Sequence, residues 1–169
     1  MPEPKALTLL QLSERVLRAM NRLGAPYAIG GGFGVNAWVG KEMIRPTIDL
    51  DLHARLSNEE ITCLCALLEE GGVQAFHSAD LVVGSGRVQL RRLLCPPEIL
   101  LDFVACDDPY GSASLERRIA ISFEGIPAFV VAPEDLILYK TLAGRDRDWI
   151  DIEHLVQSVG KEKIGRAHV

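Results

Sequence analysis

Apolar positions recur at helical spacing near the start of the chain. Leu9, Leu12, Val16, Met20 and Leu23 fall three or four residues apart, which sets them on one helix face. Thr8-x-x-Gln11 is a capping-box pattern, and Gly24 suits a helix end. The spacing predicts a helix over 8–23 with Arg15, Arg18 and Arg22 on its wet side. Those arginines suit either solvent or a polyanion. A second capping box, Ser57 to Glu60, opens a helix predicted to reach Glu70, with Ile61, Leu64 and Leu68 as its apolar stripe and Gly71-Gly72 as its stop. Short apolar runs bounded by turn residues predict strands at 27–29, 73–76, 81–83, 88–94, 99–105, 119–123 and 127–131. Gly84–Gly86, Pro96-Pro97 and Gly125 supply turns between them. After Phe33–Val39, predicted as a short, mostly buried helix, two more helices are predicted over 134–143 and 147–158. Pro133 sits at the first turn of one, with Glu134 and Asp135 beside the positive end of its dipole.

One stretch, Tyr27 to His53, departs from plain scaffold: strand, glycines, helix, basic loop, acidic strand. Asp49 and Asp51 are two apart, so a strand points both to one face, while Ile48, Leu50 and Leu52 point into a core. Paired carboxylates repel unless a cation or proton lies between them. Mg²⁺ suits such a pair when substrate phosphates complete its shell. Gly30, Gly31 and Gly32 let backbone amides approach a phosphate just before a helix. Separately, a D-x-D is also found as a structural feature and a glycine triplet as a plain turn. Thr47 is expected to bond locally at the strand entry, and His53 to stand beside the site as a bystander. Asp102 is an acid inside the apolar run Ile99–Ala105, a costly place unless it is paired or functional.

The chain has 169 residues, enough for one domain, and a formal net charge of −5, which argues against broad electrostatic binding of nucleic acid. No run approaches the ~18 apolar residues of a membrane span, and the first residues lack the pattern of a signal peptide. Cys63, Cys65, Cys95 and Cys106 show no zinc spacing. They read as buried free thiols in a reducing, cytoplasmic setting.

The order Gly-Gly, helix, Arg45-x-Thr47-x-Asp49-x-Asp51 resembles the signature of the DNA polymerase beta-like nucleotidyltransferases. The segment from Asp102 through Asp107-Asp108-Pro109-Tyr110, Arg117-Arg118 and Pro133-Glu134-Asp135-Leu136 is similar to AbiEii-type toxins and small bacterial relatives. The portion GGGFGVNAWVGK is also similar to antibiotic nucleotidyltransferases acting on aminoglycosides and lincosamides. The resemblance covers about Tyr27 to Val156. It implies an α/β (α+β) nucleotidyltransferase fold, a mixed twisted sheet of about five strands flanked by helices.

The resemblance also implies roles. Asp49, Asp51 and Asp102 would hold two Mg²⁺ ions, with Mn²⁺ as a substitute, and Asp102 would serve as ligand, general base or both. Gly30, Gly31, Gly32, Arg45, Thr47 and Lys140 would bind the nucleotide. For Arg45 the alternative is a salt bridge to the acidic pair. Lys140 would meet the triphosphate, Asp148 would orient Lys140 or the acceptor, and Asp151 would support it. Arg145 and Arg147 stay open between a functional role and a solvated helix end. The implied reaction is transfer of NMP from an NTP to a hydroxyl on tRNA, protein or a small molecule, with a cognate antitoxin as a further partner in the toxin reading. The alternatives are an antibiotic nucleotidyltransferase, an inactive module that binds a nucleotide or partner, and a metal-dependent hydrolase, which the lack of a His cluster disfavours. Finally, Ile164–Val169 can be encoded by a common short-read sequencing adapter (ATC GGA AGA GCA CAC GTC). The expectation is one domain over 1–163, cut near Glu162, with adapter read-through at 164–169, where Arg166 and His168 would carry no functional information.

Overall fold

Thr8 starts the first helix. Its hydroxyl accepts the Gln11 amide, and the Gln11 side chain accepts the Thr8 amide in return. That exchange satisfies two donors that a helix start leaves open. The helix α1 runs Leu9–Leu23 and closes on Gly24 at φ 74°, a left-handed conformation that glycine adopts at least cost. Ser57 and Glu60 repeat the exchange at a second long helix, Asn58–Glu70. The structure, a computed structural model, describes residues 7–83, 88–96 and 99–160. The predicted Gly84–Gly86 turn, Pro97 and the 164–169 segment lie outside the described residues.

The strands are β1 (Tyr27–Ile29), β2 (Leu50–Ala54), β3 (Phe76–Val83), β4 (Val88–Cys95), β5 (Ile99–Ala105), β6 (Ile119–Phe123) and β7 (Ile126–Val130). They form one mixed sheet in the order β3-β4-β5-β2-β1-β7-β6. β2 pairs in parallel with β5 and β1 with β7, and the other neighbours are antiparallel. The helices are α1, α2 (Gly31–Trp38), α3 (Asn58–Glu70), α4 (Pro109–Glu116), α5 (Pro133–Ala143) and α6 (Asp146–Val159), with one 3₁₀ turn at Lys41–Met43.

The sheet's two faces are unequal. On one, Leu50, Leu52, Leu101 and Phe103 pack with Leu12, Val16, Leu17 and Met20 of α1 and Ile61, Leu64 and Leu68 of α3. On the other, a smaller core of Ala28, Val35, Val131, Leu136 and Leu155 lies among β1, α2, α5 and α6. The rest of that second face, over β2, β5 and β4, forms the floor of a cavity. Side chains alternate along a strand, so Leu50 and Leu52 anchor β2 in the large core and turn Asp51 and His53 to the cavity. None of the described helices is long and apolar enough to cross a membrane.

Several expectations are corrected. Seven strands form the sheet rather than about five, because the short runs at 119–123 and 126–130 join it as a hairpin beside β1. Phe76–Val83 is one strand rather than two, with Val73 buried outside it. A helix, α4, stands where a loop was expected: Asp108 accepts the Gly111 amide at 2.9 Å and Pro109 takes the first helical position, a pairing that favours a helix start. α2 begins at Gly31 rather than Phe33, and Ala37 on it is exposed. Ile48 is 82% exposed rather than in the core. Pro46 cannot donate to a ladder, and the Thr47 hydroxyl donates to the Asp49 carbonyl and carboxylate at 3.2 Å each, so the strand alternation starts only at Leu50. Cys63 is exposed, whereas Cys95 and Cys106 are buried, and all four thiols are free.

These positions predict opposite responses to truncation. Leu101→Ala removes a fully buried side chain and is expected to cost about 2–5 kcal/mol in urea unfolding. Ile48→Ala is expected to stay within about 0.5 kcal/mol of the parent. Equal losses would contradict the strand entry described here.

Candidate active site

Strand register builds the floor of the cavity. Arg92 of β4 lies opposite Asp102 of β5, which lies opposite Asp51 of β2. The next row is Leu81, Leu90, Val104 and His53, one from each of β3, β4, β5 and β2. Paired residues project from the same face, and all of these line a cavity of about 210 Å³. Asp49, just before β2, joins the rim.

Glycines bring α2 against this floor. Gly31 has φ 51°, and a Cβ there would collide with the Asp51 carboxylate, as one on Gly30 would with the His53 ring. A Cβ on Gly32 would lie 2.8 Å from Thr47 Oγ1. No side chain caps this helix start, and the first helical bond runs from the Gly34 amide to the Gly30 carbonyl. The amides at Gly31, Gly32 and Phe33 therefore lack partners within the helix at the end nearest Asp51.

A cationic wall from α5, α6 and the loop before β2 faces the acids. Lys140 donates to Asp148 Oδ1 at 2.9 Å and bridges Asp151 Oδ2 at 2.7 Å. Arg45 holds Asp151 with two bonds of 2.8 Å. Arg145 donates Nε to Asp148 Oδ2 at 2.8 Å, and its own backbone amide donates to the same oxygen at 3.1 Å. Asp148 and Asp151 are fully buried, while Arg45 and Arg145 keep part of their side chains exposed. Three cations share two carboxylates, so the cluster carries a net positive charge that lines the cavity.

The titrations follow from this layout. Burial pushes Asp51 up to about 7, helped by the neighbouring charges of Asp49 and Asp102. Burial alone would raise Asp148 and Asp151 as well. The hydrogen bonds from Arg145 and Lys140 on one, and from Arg45 and Lys140 on the other, hold both below the ordinary carboxylate range. His53 is lowered to about 4 by burial, against the opposing pull of Asp135. Its Nδ1 has no partner among the described residues, and its ring meets Tyr139 edge to face at 4.3 Å.

Asp49 and Asp51 suit a divalent cation. Both border the cavity, and neither forms a salt bridge to a protein cation among the described residues. The raised Asp51 reflects burial beside two other carboxylates, opposed in part by Lys140 and Arg145. Asp102 differs: Arg92 Nε donates to its Oδ1 at 2.7 Å and Nη2 to its Oδ2 at 2.6 Å. Among the described residues, no three His, Cys, Asp or Glu side chains converge as a metal-holding group.

The structure thus brings Gly31, Gly32, Arg45, Asp49, Asp51, Asp102, Lys140, Arg145 and Arg147 to one cavity, with Gly30, Thr47, Asp148 and Asp151 supporting them. Arg45 pairs with Asp151 rather than with the acidic pair. His53, expected as a bystander, is part of the cavity wall. Arg92, Tyr139 and the apolar row were not anticipated. A signal for Arg92 was present: counting outward from Cys95 opposite Ile99, Arg92 falls opposite Asp102.

The His53 pKa predicts a pH dependence. With the folded value below the ordinary 6.5, stability is intact above about 6.5 and lost as pH falls toward about 4. Asp51, raised to about 7, contributes an opposing slope over the same window, so the effect is read as a difference: between these limits the parent is expected to lose about 3 kcal/mol relative to His53→Phe in chemical denaturation. Superimposable profiles for parent and variant across this window would contradict it.

The family model for aminoglycoside-2''-adenylyltransferase matches residues 13–85, less than half of the chain. No curated protein matches the sequence. Among solved structures, ANT(2'')-Ia in complex with adenylyl-2''-tobramycin superposes with a TM-score of 0.57 at 20% identity, covering 92% of this chain and 91% of that one. The lincosamide antibiotic adenylyltransferase LnuA, lincomycin-bound, gives 0.60 at 16% identity, covering 92% and 100%. The Megavirus polyadenylate synthase gives 0.58 at 10% identity, covering 90% of this chain and 33% of that one. These matches do not carry the AbiEii-type likeness or the toxin–antitoxin reading. In its mixed sheet and flanking helices, the chain has the fold of the nucleotidyltransferases it superposes on.

Proposed function

We propose that the protein is an enzyme that transfers an NMP group from an NTP to a hydroxyl of a small-molecule acceptor. The observation that carries this reading is the opposition, across one cavity, of Asp49 and Asp51 to the Lys140, Arg45 and Arg145 wall, beside the open helix start at Gly31. Acids alone would suit many metal sites. Acids facing cations and free amides suit a metal-bound polyphosphate. A Mg²⁺ ion, or Mn²⁺ in its place, held by Asp49 and Asp51 would neutralise phosphate charge and orient the nucleotide.

The chain's own groups define the rest. Backbone amides at Gly31 and Gly32 and the Lys140 ammonium would bind the β- and γ-phosphates. Asp148 and Asp151 hold the Lys140 side chain in place. The acceptor oxygen would attack the α-phosphorus and release its proton to solvent, the bond from the α-phosphorus to the bridging β-phosphate oxygen would break, and pyrophosphate would leave. Positioning and charge neutralisation supply most of the acceleration in such transfers. Leu81, Val88, Leu90, Val104 and Tyr139 form an apolar stretch of wall on which an acceptor would rest. The small-molecule acceptor is favoured over tRNA or protein because two fold relatives are seen with such molecules: ANT(2'')-Ia with adenylyl-2''-tobramycin and LnuA with lincomycin.

The test is transfer of label. Purified protein is incubated with Mg²⁺ and each α-³²P-labelled NTP, with tRNA, cell protein and a panel of hydroxylated small molecules in separate reactions. Label is expected on a small molecule. Asp51→Asn, which breaks no salt bridge among the described residues, is expected to cut the rate by at least about 10²-fold with the fold retained. Failure of label to move in any reaction, with nucleotide still bound, would replace this reading with that of a nucleotide-binding module.

A further inference from the structure

Arg92 is a charged cavity residue that the proposed reaction leaves unused. It sits on β4 in direct register with Asp102, so its placement follows from the β4–β5 hairpin and not from the rotamer of one side chain. Two parallel N–H···O bonds of 2.7 and 2.6 Å occupy both oxygens of a carboxylate that is only 3% exposed. The guanidinium side chain keeps 29% of its surface and lines the cavity.

We propose that Arg92 is a positioning residue that withholds Asp102 from the metal set, leaving Asp49 and Asp51 to hold a single cation. The inference rests on the nucleotide-transfer reading above. A cation bound to Asp102 would have to displace two charge-assisted hydrogen bonds, which are among the stronger polar contacts in proteins. It would then lie against a guanidinium that is charged at all working pH values, close enough for direct repulsion. With Arg92 present, the Asp102–Arg92 pair is neutral and exerts little pull on a second cation. Asp49 and Asp51 have no such partner, which is why the two ends of the acid row differ. Arginine serves here better than lysine because its planar fork spans both carboxylate oxygens and fixes the carboxyl plane.

The experiment counts Mn²⁺ by electron paramagnetic resonance on the full chain with α,β-methylene-ATP, which cannot transfer its nucleotide. The parent is expected to bind one Mn²⁺ per chain. Asp51→Asn should weaken it by at least about tenfold, whereas Asp102→Asn should leave its affinity within about twofold. Arg92→Ala, which frees Asp102, should gain a second Mn²⁺, and Arg92→Lys, with one point of contact, should fall between. Arg92→Ala carries the test by itself where Asp102→Asn fails to fold. Two Mn²⁺ in the parent, or equal weakening by Asp102→Asn and Asp51→Asn, would overturn this inference alone. No Mn²⁺ in the parent would overturn it together with the nucleotide-transfer reading.

Discussion

Two buried carboxylates hold the site together. Asp148 and Asp151, one turn apart on α6, are shut off from solvent and receive Lys140, Arg45 and Arg145. A buried carboxylate without partners costs several kcal/mol, so these contacts tie three separate segments to one point. α5 brings Lys140, the loop before β2 brings Arg45, and the start of α6 brings Arg145. Removing Asp151 would leave Arg45 unpaired and free the loop that leads to Asp49, and removing Asp148 would leave Arg145 unpaired, while Lys140 would keep the other acid. The cost of burying the charges is offset by a cationic surface fixed before any phosphate arrives, which is the form of preorganisation that charge-stabilising sites require.

The sheet makes that arrangement useful. Its large core under α1 and α3 fixes β2 and β5 through Leu50, Leu52, Leu101 and Phe103. The alternating side chains then have no choice of direction, and Asp51, His53, Asp102 and Val104 all turn to the face that α2, α5 and α6 only partly cover. α2 can approach because Gly30, Gly31 and Gly32 carry no side chain where His53, Asp51 and Thr47 already stand. Acids on the sheet, amides at a helix start and cations on two helices thus reach one space by independent routes.

Much of this was legible in the sequence because the signals were local. Both capping boxes, the acidic strand and the apolar runs read directly as α1, α3, β2 and β5, and the glycines before α2 announced a close approach. What was missed depended on contacts between distant segments. Ile48 has the parity of a core residue but is held outside by Pro46 and the Thr47 hydroxyl. Arg45 pairs with Asp151, 106 positions away, which no local pattern encodes. Arg92 was readable only by counting the register of the β4–β5 hairpin, and His53 only by knowing that Tyr139 closes over it. α4 was hidden because Asp-Pro serves loops as readily as helix starts.

The account's central claim is that acids, amides and cations form one receptor for a metal-bound triphosphate. Isothermal titration of the protein with α,β-methylene-ATP and with AMP, each with and without Mg²⁺, tests it most directly. The account predicts binding of the triphosphate analogue that depends on Mg²⁺ and is at least about tenfold tighter than that of AMP, a difference of about 1.4 kcal/mol. Equal affinity for the two, or binding indifferent to Mg²⁺, would contradict it.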